Sequence, residues 1–327
     1  MNEKSILSHE ILKPFLEQEL SMNSKVESSV NKLGHLVTTL LGQKCVSQNM
    51  TRERDIFWDA NHFGLDKVSF FQDLPDTIKA VALALLTDHN LNESYYIEKV
   101  GMSYCAKMIL LSESEEEKAL YSAIAGDEAT HLYEVRNFLR AGQEQTYRGN
   151  GFLKFIAETV QNESPKICQA ILQVGLEGYG IGYYHWLKQG CLDKGFQNVL
   201  ARIITDEASH HGSGVIITSQ NKFSEVELTR LHAHFDQLAN FLNCTLFPIV
   251  MVLERLSEGL TNVQRTEIFA ELEALTVNSE KMKNLWSLLR VSKLDRNMPP
   301  GLANRFNQGW DAVTCANVFT QMLSEGM

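Results

Sequence analysis

Two short runs in this chain combine residue types that bind metals: Asp127-Glu128-Ala129-Thr130-His131 and Asp206-Glu207-Ala208-Ser209-His210. Each sets a carboxylate and an imidazole three residues apart. On an α-helix, positions i and i+3 share a face, so each Glu-x-x-His can grip a metal ion from one side. Two such runs on facing helices would hold two ions side by side.

A dinuclear carboxylate centre in a helical bundle needs two more glutamates, one from each remaining helix. In an antiparallel hairpin, residues equidistant from the turn lie at the same height. The turn Ser112 to Ser114 centres near Glu113, with Glu128 fifteen residues after it and Glu98 fifteen before. The loop Cys191-Leu192-Asp193 centres near Leu192, with Glu207 and Glu177 fifteen residues to either side. Both pairs are thus thirty residues apart. Glu177 is the only acidic residue between Glu163 and Asp193. Glu98 has a rival in Glu93, which would move its turn into the apolar pair Leu110-Leu111.

The elements that must position these residues read as helices. Only six prolines occur, and apolar residues recur every three or four positions, with few alternating runs that would suggest strands. Four helices are expected over about 75–111, 115–141, 165–189 and 196–220. Ser114-Glu115-Glu116-Glu117, Ser224-Glu225-Val226-Glu227 and Thr261-Asn262-Val263-Gln264 match capping boxes. Ser164-Pro165 suits a helix start. Gly142, Gly190 and Gly259 are placed to end helices in the left-handed conformation, and Pro248 is expected to kink a later helix. With no low-complexity tract or linker, residues 1–327 read as a single all-α domain. Its core is the four-helix bundle at 75–220, with flanking helices in 1–74 and 221–327.

The expected ligand set is Glu98, Glu128, His131, Glu177, Glu207 and His210. Hard oxygen ligands with one nitrogen per ion suit iron, or manganese in its place, better than zinc or copper. The arrangement resembles the ferritin-like di-iron carboxylate superfamily, in which two helices give one glutamate each and two give a Glu-x-x-His. The resemblance covers roughly residues 75–220. It implies a ferritin-like four-helix bundle with additional N- and C-terminal helices, two iron ions, and dioxygen as co-substrate. Di-iron oxygenases and the ribonucleotide reductase small subunit also carry Asp-Glu-x-x-His. By that likeness Asp127 and Asp206 each accept a hydrogen bond from the far nitrogen of a ligand histidine, fixing its tautomer.

Neighbouring residues leave alternatives open. His211, four residues after Glu207, is either a polar residue beside the site or a further nitrogen ligand or proton relay. Gly175, Gly178, Gly180 and Gly182 crowd around Glu177, although each is unfavourable in a helix interior by about 1 kcal/mol relative to alanine. Close helix packing would explain them, as would a local bulge that lets Glu177 move and leaves room for oxygen or substrate. Tyr95, Tyr121, Tyr179 and Tyr184 read as core residues, one of them a candidate redox tyrosine. The radical tyrosine of ribonucleotide reductase small subunits commonly lies four residues beyond the first ligand histidine; here that position is Val135. Arylamine N-oxygenases would offer a histidine four residues before Glu207; here it is Ile203. His35, His62, His89, His185, His232 and His234 have no ligand-like partners in the sequence.

A net charge of −10 over 327 residues, with no basic cluster, argues against a nucleic-acid partner. The six cysteines are scattered, without Cys-x-x-Cys or a disulfide-like spacing, which fits a reducing cytoplasm. The apolar stretch Leu242 to Leu253 is interrupted by Asn243, Thr245 and Pro248, so no membrane partner is expected. The function expected is an oxygen-dependent di-iron oxidase or oxygenase acting on a small-molecule substrate, served by an external electron donor and assembled as a homodimer. A radical-generating protein and a non-catalytic iron-storage protein are the alternatives.

Overall fold

The computed structural model describes residues 52–140, 150–257 and 259–326, together with four positions of a helical stretch between residues 36 and 41. Among the described residues there are helices and no strands. The expected features at His35, Cys45 and Gly142 lie outside them.

Four long helices carry the expected motifs: α1 (Asp76–Leu111), α2 (Glu115–Arg136), α4 (165–190) and α5 (Lys194–Thr218). Between α2 and α4 lies α3 (Gly151–Asn162). Side-chain caps set the starts of α2, α4 and α5, whereas α1 follows Pro75 without one. Ser114, Ser164 and Asp193 accept the amides of Glu117, Ile167 and Phe196 respectively, satisfying donors that a helix N-terminus leaves open. Helix α4 has a Pro165–Cys168 opening, a π-helical section at Gln169–Leu176, and an α-helical Glu177–Gly190. α1 packs along α2, α2 along α5, and α5 along α4. Side chains bridge α1 to α4: Tyr104 reaches Gln173, and Tyr183 reaches Glu93.

Helix α2 ends at Arg136, five residues short of the expected Ala141. The chain leaves the helix there to bury Phe138 between Phe57 and Phe196, at ring separations of 6.1 and 5.1 Å. Burying one large aromatic ring outweighs one further helical turn, because such a ring removes far more apolar area from water than a turn of propensity is worth.

The second layer consists of α6 (Glu225–Asn243), α7 (Phe247–Leu256), α8 (Asn262–Glu271), α9 (Ala274–Val291) and α10 (Ala312–Gly326). Full capping boxes open α6 at Ser224 and Glu227, and α8 at Thr261 and Gln264. Pro248 does not kink a helix. It sits in the first turn of α7, where its missing amide is harmless, and α6 and α7 meet at a bend of 46°. Gly259 takes the expected positive φ of 108°, but Gly190 does not. Glycine at 190 serves a different need, since a Cβ there would strike the ring of His62. No single helix among the described residues is long and apolar enough to cross a membrane; the bent pair α6–α7 passes by length and composition, and its Phe235, Leu238, Phe247 and Val250 are fully buried in the protein. Cys105, Cys168, Cys191, Cys244 and Cys315 are buried and unpaired.

Candidate metal centre

All six expected ligands meet inside the α1–α2–α4–α5 assembly. They form two overlapping groups: Glu98, Glu128, His131 and Glu207 in one, and Glu128, Glu177 and His210 in the other. Within each group the candidate ligand atoms lie within 4.8 Å of one another. Glu128 belongs to both. Glu93 is in neither; it accepts hydrogen bonds from Asn150 Nδ2 at 3.0 Å and Tyr183 Oη at 3.4 Å. This buried group of glutamates and histidines can hold a metal ion, and its setting in an all-helical chain is compatible with a ferritin-like fold.

The aspartates sit behind the histidines in a crossed arrangement. Asp206 on α5 lies 2.9 Å from His131 Nε2 on α2, and Asp127 on α2 lies 3.4 Å from His210 Nε2 on α5. With Nε2 carrying the proton toward aspartate, Nδ1 of each ring is aimed at the carboxylates. His131 Nδ1 is 3.1 Å from Glu98 Oε2, and His210 Nδ1 is 3.3 Å from Glu128 Oε1. One Asp-x-x-x-His run cannot make this contact with itself, so each motif depends on the other.

Electrostatics test whether the group fits a cation. Glu128, Glu177 and Glu207 stand well above the usual carboxylate range, first because burial penalises their charge and then because they repel one another and Glu98. Burial opposes ionisation of Glu98 too, but hydrogen bonds from His131 and Tyr184 prevail and hold it low. Burial likewise opposes a charge on His131, yet Asp206 and Glu98 raise it well above the ordinary histidine value. The His131 hydrogen bond lowers Asp206. The buried candidate ligand atom Glu177 Oε2 has no hydrogen-bond partner, and His210 Nδ1 meets only the Glu128 carboxylate, at 3.3 Å. Crowded, protonation-prone carboxylates beside an unpartnered donor atom are what a divalent cation would neutralise and fill. The donor set therefore fits a metal ion.

Several contributors escaped the sequence reading. Gly101, one turn after Glu98, leaves the space that the Glu128 carboxylate occupies, where any Cβ would collide with it. A helix-interior glycine beside a ligand was the available signal. Tyr184 donates to Glu98 Oε1. The glycines near Glu177 divide the two explanations offered for them. A Cβ at Gly178 would strike His211 and Leu288, which is close packing, whereas Gly180 and Gly182 face open space. A bulge is present as well, the π-helical section that ends at Leu176, immediately before Glu177. His211 Nδ1 lies 3.4 Å from the Gln173 carbonyl and joins neither ligand group.

A cavity of about 860 Å³ reaches the centre. Glu128, Glu177, Glu207, Gly101 and Gly178 form one end, and Ile97, Val100, Leu172, Leu176 and Phe241 supply apolar walls. His62 and His89, without partners in the sequence reading, line it too, and His62 stacks on Trp186 at 4.1 Å.

Comparison with protein-family models, curated proteins and solved structures returned no match.

Proposed function

We propose that this chain is an oxygen-dependent oxidoreductase using two iron ions, or iron with manganese, to oxidise a small organic molecule. One observation supports it most: four carboxylates and two imidazoles converge, crowded and partly unpartnered, at the wall of a cavity large enough for a substrate. Glu98, Glu128, His131, Glu177, Glu207 and His210 would hold the ions, with Glu128 shared. Bound ferrous ions would supply electrons to dioxygen and be restored by an external donor. Asp206 and Asp127 keep the proton on Nε2 of each histidine and leave Nδ1 to the centre. Tyr184 holds its phenolic proton against Glu98, and Val100, Leu172 and Leu176 exclude water. Ferrous-loaded protein is expected to consume dioxygen with a change in near-ultraviolet absorption. Unchanged oxygen and spectrum would overturn the proposal.

A second reading, a radical-generating protein, gains support from Tyr184, which touches a candidate ligand although position 135 is valine. It predicts a tyrosyl electron-paramagnetic-resonance signal after oxygen exposure that Tyr184→Phe abolishes. Absence of that signal in the unsubstituted protein would sink it.

A further inference from the structure

The end of the cavity away from the carboxylate centre carries a lysine. Lys281 on α9 lines it and donates to Thr245 Oγ1 in the α6–α7 turn. An ammonium group has three N–H donors, and Thr245 takes one. Among the described residues no carboxylate stands within ion-pair distance of Lys281. Glu93, whose charge acts on Lys281, already accepts from Asn150 and Tyr183, and Glu280 lines the same cavity without pairing to Lys281. Burial pulls Lys281 down to about 8, with Glu93 resisting the fall, so the group stays mostly charged at neutral pH. A half-buried cation that makes no ion pair, and that faces a cavity, is placed to receive an anion brought by a ligand.

Helix geometry gives the span. Leu288 packs on Gly178, next to Glu177, and Lys281 lies seven residues earlier on α9, about 10 Å along the axis at 1.5 Å per residue. Ile97, Leu176 and Phe241 line the cavity with them.

We propose that Lys281 binds the carboxylate of a small organic acid whose apolar remainder extends toward Glu128, Glu177 and Glu207. That such an acid is the substrate rests on the oxidoreductase reading; the carboxylate site itself does not. The test is calorimetric titration of the full chain as purified with octanoate, whose extended length is about that span, and with 1-octanol as its uncharged counterpart. The unsubstituted protein should bind octanoate at least about tenfold more tightly than octanol. Lys281→Met should erase that preference and leave octanol binding intact, showing that the cavity is still formed. Lys281→Arg should retain the preference. Octanoate bound equally by Lys281→Met, or not bound by the unsubstituted protein, would overturn the site. Metal content of the same samples separates the two claims. Octanoate preference without metal uptake would overturn the di-iron reading alone, and metal uptake without the preference would overturn the carboxylate site alone.

Discussion

Two buried polar regions lie side by side between the same four helices, and they differ in whether protein atoms satisfy them. In the first, Tyr104 and Tyr121 both donate to Gln173 Oε1, at 2.9 and 3.1 Å. Gln173 Nε2 donates to the His210 carbonyl and to Ser213 Oγ, and Gln169 joins Tyr121 to Asn221. These groups are uncharged in their ordinary states and both glutamine amides are used at both ends, so the network closes on itself. The carboxylate centre, one turn along α4 from Gln173, does not close: Glu177 Oε2 lacks a hydrogen-bond partner and three glutamates repel. A closed network specifies how helices pack. An open one, with mutually repelling carboxylates gathered at the end of a cavity, marks a place that can take a cation.

Substitutions can break this contrast, and the largest effect belongs to Glu128, which both ligand groups share. Glu128→Ala should abolish metal uptake as measured by elemental analysis, while helix content by circular dichroism is kept. Gly101→Ala should act on the same carboxylate without altering any ligand: its methyl group displaces Glu128. Metal affinity should fall at least about tenfold, while urea stability of the metal-free protein holds or rises by up to about 1 kcal/mol from helix propensity. Stability lost together with metal binding would contradict that assignment.

The crossed aspartates sharpen the contrast. Asp206→Asn should weaken metal affinity roughly 10- to 100-fold in competition with a chelator. Asp127→Asn should do less, because Asp127 makes the longer contact and its side chain is 42% exposed against 30% for Asp206. Gln173→Leu should have the opposite profile. It leaves two buried phenols without their acceptor, costing about 1–3 kcal/mol in urea unfolding, with metal stoichiometry unchanged. The smallest expected effect is on pH dependence. Glu128, Glu177, Glu207 and His131 have raised values in the folded chain. The native state thus holds those protons more tightly, and that contribution is lost as pH rises through the folded values. Glu98 and Asp206, shifted down, act in the reverse sense at acid pH. Metal-free protein should lose the contribution of the raised groups, and melt at lower temperature, as pH rises above the ordinary carboxylate and histidine range, and metal should flatten the slope. A melting temperature that rises with pH there would contradict the assigned directions.

Much of the centre was legible in sequence because hairpin symmetry is a local rule. Equal distances from two turns selected Glu98 and Glu177, and the caps Ser114 and Ser164 placed the starts of α2 and α4. What local rules could not reach depends on neighbours distant in the chain. The early end of α2 follows from the pocket that Phe57 and Phe196 offer Phe138. The crossing of Asp206 to His131 requires the apposition of α2 and α5. Gly101 has meaning only once Glu128 faces it, and Lys281 enters from a helix outside the four. The likeness to di-iron carboxylate proteins concerned the ligand pattern and carried no information on the cavity.

The central claim is that the open carboxylate cluster is completed by metal. Its most direct test is metal content per chain after anaerobic reconstitution with ferrous iron, beside Glu128→Ala and Gln173→Leu. About two ions per chain are expected in the unsubstituted protein and in Gln173→Leu, and none in Glu128→Ala. Equal metal in all three, or none in the unsubstituted protein, would contradict it.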